Sequence, residues 1–355
     1  MIKNKIATKI KFNNKITISN SSKVFIVAEI SGNHSGNIKN ILRSIDNIKA
    51  SGADAIKIQS YEPHTITLNS KKKYFYINDK SIWKGKYLYD LYKSAYTPFA
   101  WHKKIFSYAQ KKKLFCFSSP FDLSSLKLLE KLKCPVYKIA SPEIQDLELI
   151  GAVAKTKKPI IISTGVASHN DIMLALKECL NNNNKKIILL NCISSYPAQI
   201  NELNLNHINK LKQYCPIVGY SDHSIGKIAS ISSVAMGAKV IEKHFILNKK
   251  IKSADEKFSI LSDDFFDFVK NIRTTEKMLG KIEVDKKKIL KMKLTTVTRS
   301  LFYKRDLNKN QKIIRSDLAS VRPGIGISPQ KLKKIIGKRL KKNVKKHTPV
   351  QEKDF

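Results

Sequence analysis

Between residues 24 and 245 one pattern recurs: a short run of apolar, mostly β-branched residues, a polar tip, then a longer amphipathic stretch. The runs are VFIVAEIS (24–31), AIKIQS (55–60), LFCFSS (114–119), VYKIAS (136–141), PIIISTG (159–165), IILLNC (187–192), PIVGYSDH (216–223) and KVIEKHF (239–245). Strands apolar on both faces and alternating with helices imply a parallel sheet whose two faces are kept from water by those helices. Helix starts are signalled by Thr97-Pro98, Asp122, Ser168 and Ser262, each ahead of an apolar-periodic stretch. Eight such units in about 260 residues match the size of a (β/α)8 barrel. A doubly wound sheet is the alternative, but no G-x-G-x-x-G turn follows the first run.

The pattern divides the chain into a barrel domain over 1–280, a Lys-rich linker over 281–294 and a small β-rich domain over 295–355. The last has short strand signals between Gly/Pro turns. About sixty residues make a marginal core, so docking to the barrel or to another subunit is expected of it. The longest insertion, residues 61–96, follows the second strand and is rich in Lys, Tyr and Trp. On a barrel that loop belongs to the catalytic face, where it acts either as a lid or as a surface excursion with an aromatic anchor.

Composition narrows the class. No apolar run reaches the roughly 20 residues of a spanning helix, and the first nineteen residues alternate without the apolar core of a secretory signal. Five cysteines (Cys116, Cys134, Cys179, Cys192, Cys215) lack any C-x-x-C spacing. Free thiols in a reducing compartment fit, and a Cys-based zinc ribbon is excluded. The expectation is a soluble cytoplasmic protein. The net charge of +39 raises the question of nucleic acid. However, residues 281–355 carry only 23 basic and 6 acidic side chains of the totals, and the rest of the surplus is spread along the barrel region. Its bland meaning is a solvated Lys-rich surface, and the same field assists capture of a small anion.

The strand tips carry the chemistry. In order they present Glu29, Lys57 with Gln59, Ser118-Ser119, Lys138 with Ser141, Ser163, Asn191 with Ser194, Ser221 with His223, and Glu242 with His244. A barrel brings all of these to one mouth. Polar tips by themselves mark only where strands meet water. Lys57 and Lys138 are different, because each lies inside an apolar run, where an ammonium must be paired or face a ligand. Two lysines and a ring of hydroxyls suit a phosphorylated, carboxylated anion. His223 and His244 end the seventh and eighth strands, neighbours in a closed barrel, and either ligate a divalent metal or serve as satisfied structural histidines. Glu29, beside the eighth strand, is placed to act as acid, base or substrate clamp.

The segments AEISGNHSGN (28–37), GADAIKIQSY (52–61), SSPFD (118–122), YKIASPEI (137–144), KPIIISTG (158–165), SSYPAQ (194–199), VGYSDHSIG (218–226), GAKVIEKHF (237–245) and VRPGIG (321–326) resemble the sialic-acid synthase family. The likeness runs in order from about residue 20 to 350. It implies a TIM barrel followed by an antifreeze-like (SAF) domain. YLYDLYKSAYTPFAWHKKIF (87–106), SPEIQDLELI and CISSYPAQINELNL are more similar to the family's pseudaminic acid branch than to its N-acetylneuraminate branch.

The resemblance implies an enzyme that condenses phosphoenolpyruvate with an N-acetylated amino-sugar aldehyde, a 2,4-diacetamido-2,4,6-trideoxy-hexose. The products are a nine-carbon 2-keto-3-deoxy acid, pseudaminic acid, and phosphate. By that likeness Lys57, Lys138, Ser141, Ser163, Ser194 and Ser221 hold phosphoenolpyruvate, with Ser119 at a Thr-type position. His223 and His244 ligate Mn2+ or Mg2+. Glu29, Tyr196, Asp255 and Arg322 contact the sugar, and Glu143 is a further active-site carboxylate. A domain-swapped homodimer is implied, with no membrane partner. Two departures stand out: Ser194 replaces Asn of the N-acetylneuraminate branch, and Ser253-Ala254-Asp255 replaces a more usual Gly-Pro-Asp. The rival readings are an N-acetylneuraminate or legionaminic acid synthase and, in another class, a nucleic-acid-binding barrel using its Lys surplus.

Overall fold

In the computed structural model, which describes residues 2–79, 81–280 and 296–355, the chain forms two compact units, Met1–Leu279 and Gly280–Phe355. The larger is a closed parallel barrel. Its strands are β3 (Phe25–Glu29), β4 (Ala55–Ser60), β5 (Phe115–Pro120), β6 (Tyr137–Ile139), β7 (Ile160–Ser163), β8 (Ile187–Asn191), β9 (Val218–Asp222) and β10 (Val240–Ile246). They pair in chain order, and β10 closes the ring by pairing with both β9 and β3. Each lies within one of the eight apolar runs or overruns it by a single residue, so the barrel expectation holds.

Two of the four start signals act as side-chain caps. Asp122 accepts the Ser125 N–H at 2.8 Å ahead of the helix Leu123–Lys131, and Ser168 accepts the Asp171 N–H ahead of His169–Asn181. Pro98 precedes Phe99–Lys111, and Ser262 opens Ser262–Leu279. The helices cover the barrel with apolar stripes such as Ile41, Ile45 and Ile48 of Ile38–Ala50.

Two short features lie outside the eight-unit pattern. The alternating N-terminal residues form a hairpin, β1 (Lys9–Lys11) with β2 (Thr17–Ser19), that buries Ile10, Phe12 and Ile18 against the barrel. The two-residue β11 (Ile260–Leu261) extends from β10 in parallel. The insertion over 61–96 is not a bare loop. It contains the turns of helix Pro63–Ile66 and Leu88–Ala95, and a tight excursion pinned by Ile77 N–H to Lys86 O and Gly85 N–H to Ile77 O, both 2.9 Å.

The smaller unit pairs β12 (Ser300–Tyr303) with β13 (Leu318–Val321) in an antiparallel ladder over its own core of Leu301, Tyr303, Ile313, Leu318, Leu340 and Val350. The linker expected at 281–294 lies outside the described residues. No described helix is long and apolar enough to cross a membrane.

Candidate active site

Strand alternation decides which side chains enter the barrel and which face the helices. At the C-terminal mouth, residues separated by tens to hundreds of positions come together in one ionic cluster. Lys57 Nζ lies 2.5 Å from Glu29 Oε2 and 3.2 Å from Glu242 Oε1. Lys138 Nζ is 3.8 Å from the same Glu242 oxygen, Ser221 Oγ donates to it at 3.1 Å, and Lys57 also reaches Ser119 Oγ at 3.4 Å. All six residues are buried. Glu242 is therefore the hub, a role the sequence pattern did not reveal although it places Glu242 among the tips.

A cluster of this kind persists only if its charges compensate. Burial raises the carboxyl of Glu242, but Lys138 and Lys57 outweigh that and hold it below the usual range. Burial lowers Lys138, more than Glu242 restores. Burial pushes Glu29 up to about 7 against the pull of Lys57. On the 3-10 turn Pro142–Gln145, burial likewise lifts Glu143 to about 7, and its Oε2 has no hydrogen-bond partner. Near neutrality the site thus holds one firmly ionised carboxylate between two lysines, beside two carboxyls that are easily neutralised. A multiply charged anion entering here meets little standing repulsion.

Beside the lysines lies a cradle. A Cβ built on Gly165 would sit 2.6 Å from Ser194 Oγ, 2.7 Å from Cys192 Sγ and 3.1 Å from Ser141 Oγ. Those three groups therefore converge where Gly165 leaves space. Ser141 Oγ accepts the Val166 N–H at 2.8 Å, whereas Ser163 Oγ and Ser194 Oγ are buried without partners. Buried hydroxyls with unused hydrogen-bonding capacity are the signature of a ligand site. Cys192 belongs to this wall and is a lining residue that sequence reasoning did not single out.

The two histidines sit side by side, ring centroids 5.5 Å apart. Burial lowers His223 to about 4 and holds His244 well below the ordinary imidazole value, so both imidazoles are neutral. His223 Nδ1 donates to Ile193 O at 2.7 Å, which fixes the tautomer and leaves Nε2 with its lone pair. His244 Nδ1 makes no hydrogen bond and lies 3.8 Å from Asp255 Oδ2. A pair of buried neutral imidazoles, one already oriented through its other nitrogen, fits a divalent metal. Among the described residues no group of three or more His, Cys, Asp or Glu side chains forms a ready-made cage, so water or substrate would complete the shell.

Around this pair stand aromatic rings: Tyr196 at 4.4 Å from His223, Phe258 at 4.8 Å from His244, and Tyr196 against Phe258 at 5.1 Å. Asp255 is buried, and burial raises its carboxyl. The departure at 253–255 has a local explanation. Ser253 Oγ donates to Asn33 Oδ1 at 2.5 Å, and Asn33 Nδ2 donates to Ser259 Oγ at 2.7 Å and to Phe245 O at 2.9 Å. Asn33, also unmarked by the sequence reasoning, ties the loop carrying Asp255 to the strand ends. Arg322 follows β13 in the smaller unit and is exposed there.

With this geometry in view, comparison with known proteins is decisive. Residues 44–284 match the NeuB family, and residues 298–355 match the SAF domain. The chain belongs to the NeuB family. It is 41% identical to a pseudaminic acid synthase of Campylobacter jejuni over 94% of its own length and 97% of that protein's. The figures for the Helicobacter pylori pseudaminic acid synthase are 41%, 93% and 97%. A crystal structure of an N-acetylneuraminic acid synthetase from Leptospira borgpetersenii, bound to citrate, superposes with a TM-score of 0.71 at 30% identity, covering 81% of this chain and 96% of that one. This NeuB-family chain thus joins a TIM barrel to a C-terminal SAF domain.

Proposed function

We propose that the protein is a pseudaminic acid synthase. It joins C3 of phosphoenolpyruvate to the aldehyde carbon of a 2,4-diacetamido-2,4,6-trideoxy-hexose, adds water at C2 and releases phosphate by cleavage of the C2–O bond. The observation that carries the reading is the pair of buried lysines, Lys57 and Lys138, sharing Glu242 at the barrel mouth. The choice of sugar draws support from the relatives in Campylobacter jejuni and Helicobacter pylori.

We infer the following residue roles, those within the barrel supported by its geometry. Lys57 and Lys138 exchange part of their pairing with Glu242 for the phosphate and carboxylate of phosphoenolpyruvate. Ser119, Ser141, Ser163, Ser194 and Ser221 donate hydroxyls to those oxygens, the orphaned Ser163 and Ser194 gaining the partners they lack. Glu29, Tyr196 and Asp255 hold the sugar, and Glu143, near neutral pH a donor as much as an acceptor, faces charge changes without a fixed partner. Arg322 of the SAF domain contacts the sugar across a homodimer. His223 and His244 hold Mn2+ or Mg2+, which when bound polarises the aldehyde carbonyl. Because C2 becomes cationic and the intermediate tetrahedral, the lysines accelerate reaction only insofar as they favour that charge distribution over the reactant's. The functional division is 1–280 for synthesis, 281–294 as linker and 295–355 as SAF domain, and the enzyme is cytoplasmic.

Mass spectrometry after incubation with phosphoenolpyruvate, Mn2+ and a panel of amino-sugar aldehydes tests this. The expected product is the nine-carbon acid from the diacetamido-trideoxy-hexose. Exclusive turnover of a mono-acetamido sugar would assign the enzyme to a neighbouring branch.

A further inference from the structure

The insertion over 61–96 carries a side chain that the cluster above does not use. Trp83, half-buried, lies on the excursion closed by the Ile77–Lys86 and Gly85–Ile77 hydrogen bonds, with the Tyr76 and Tyr87 rings packed at its base 5.2 Å apart. Its indole does two things at once. The ring packs on Tyr196 at 5.4 Å, and Nε1 donates to the backbone oxygen of Ala254 at 2.8 Å. Tyr196 belongs to the loop after β8, and Ala254 to the loop after β10, immediately before Asp255. One side chain from the loop after β4 therefore fastens two other loops of the mouth, across 113 and 171 positions of sequence.

Trp83 meets the edge of a cluster of rings. From it the contacts continue through Tyr196 to His223 and Phe258, and through Phe258 to His244. These rings share no described hydrogen bond or ion pair with Lys57, Lys138 or the Gly165 cradle, although His223 and His244 lie within electrostatic reach of the lysines. We propose that Trp83 is a positioning residue for the sugar half of the site: it sets the placement of Tyr196 and of the Asp255 loop, and leaves the phosphoenolpyruvate half alone. This rests on the proposed function, which assigns Tyr196 and Asp255 to the sugar. The physical basis is pre-organisation. A loop held in its binding geometry before the ligand arrives loses less freedom on binding, and the loss of Trp83 returns that cost to the sugar alone.

The test is a split in steady-state constants. Trp83→Ala, with folding verified by thermal melting, should raise KM for the diacetamido-trideoxy-hexose at least fivefold, while KM for phosphoenolpyruvate moves less than twofold. Fivefold is the effect of one ordinary hydrogen bond, about 1 kcal/mol. Trp83→Phe, which keeps a ring for Tyr196 and loses the N–H, should fall between wild type and Trp83→Ala. Should Trp83→Ala not fold, Trp83→Leu takes its place under the same criteria. Any other pattern in a folded variant overturns the inference, including a uniform fall in both substrates' kcat/KM or an unmoved sugar KM. Failure of the wild type to turn over any sugar of the panel is a distinct result: it overturns the functional reading, and the inference with it.

Discussion

The two ends of the barrel are built from the same eight strands and solve opposite problems. At the N-terminal end β3 begins with Phe25, whose ring meets Phe12 of the hairpin at 5.3 Å and Phe115 of β5 at 5.7 Å. At the C-terminal end the same strand finishes with Glu29, sealed in an ion pair. One end is closed by apolar contact, which is non-directional and tolerant; the other by charges whose geometry must be met. A sizeable cavity is not by itself a mark of the chemistry. A cavity of about 920 Å3 opens at the N-terminal end, lined by Lys15, Lys49, Lys103 and Lys113 around Phe106 and Phe115. The chemistry is marked instead by buried polar atoms without hydrogen-bond partners at the mouth, Glu143 Oε2, Ser163 Oγ, Ser194 Oγ and His244 Nδ1.

If that contrast is right, damage at the two ends must separate stability from catalysis. Phe25→Ala should have the largest effect on folding, about 3–5 kcal/mol by denaturant titration, because a buried aromatic ring is lost between two others. The folded fraction should keep its kinetic constants. A fall in kcat/KM per folded molecule would break the comparison.

The mouth should behave in reverse. Lys138→Ala should reduce kcat/KM at least tenfold, consistent with the roughly 1.5–3 kcal/mol of a charge-assisted bond. Its stability should change little, since Glu242 keeps Lys57 at 3.2 Å. Lys57→Ala should lose as much activity and also be measurably less stable, because Glu29 and Glu242 then lose the cation they share. Near-normal turnover of both variants would remove the lysines from the substrate site.

The smallest effect is a gain. Glu143 in the folded chain titrates at about 7 against an ordinary 4.5. The folded state therefore binds its proton more tightly, so this group's contribution to stability falls as pH rises from about 4.5 through 7. Glu143→Gln should be more stable than wild type by about 1–2 kcal/mol at pH 8, a figure reduced for the partial exposure of the residue. The difference should vanish below about pH 4.5. Equal stabilities at pH 8 would mean that the carboxyl is better solvated than its surroundings indicate.

How much of this was legible beforehand depends on the range of the signal. Each barrel strand announced itself locally, through a β-branched run, and the order of the tips then followed from topology. The N-terminal hairpin has only a faint signal: KIKFNNKITIS alternates, but its two strands are three residues each, shorter than the run over which alternation marks a strand. Glu242 as hub was out of reach, since its partners lie on strands that begin up to 185 residues earlier. The rule that a lysine within an apolar run must be paired or face a ligand is instructive where it divides. Lys57 and Lys138 turn into the mouth. Lys243, two positions into VIEKHF from Val240's neighbour Ile241, is just as buried but pairs with Asp222 at 3.2 Å. The sequence carries the demand for a partner and not the partner's identity. Trp83 was visible only as one aromatic among many, because its role depends on contacts with Tyr196 and Ala254.

That third lysine has its own consequence. Lys243 and Asp222 are register partners on β10 and β9, and each directly precedes a histidine, His244 and His223. Asp222 is further held by the hydroxyls of Ser224 and Ser230, both at 2.6 Å, and the Lys243 ammonium by the backbone oxygen of Ser224. The ion pair is a spacer bar, cast into the wall one residue behind the two imidazoles. The β9–β10 ladder sets the separation of the strands, and the bar adds to it a tie between charges sealed from solvent, directly behind the residues that carry the rings.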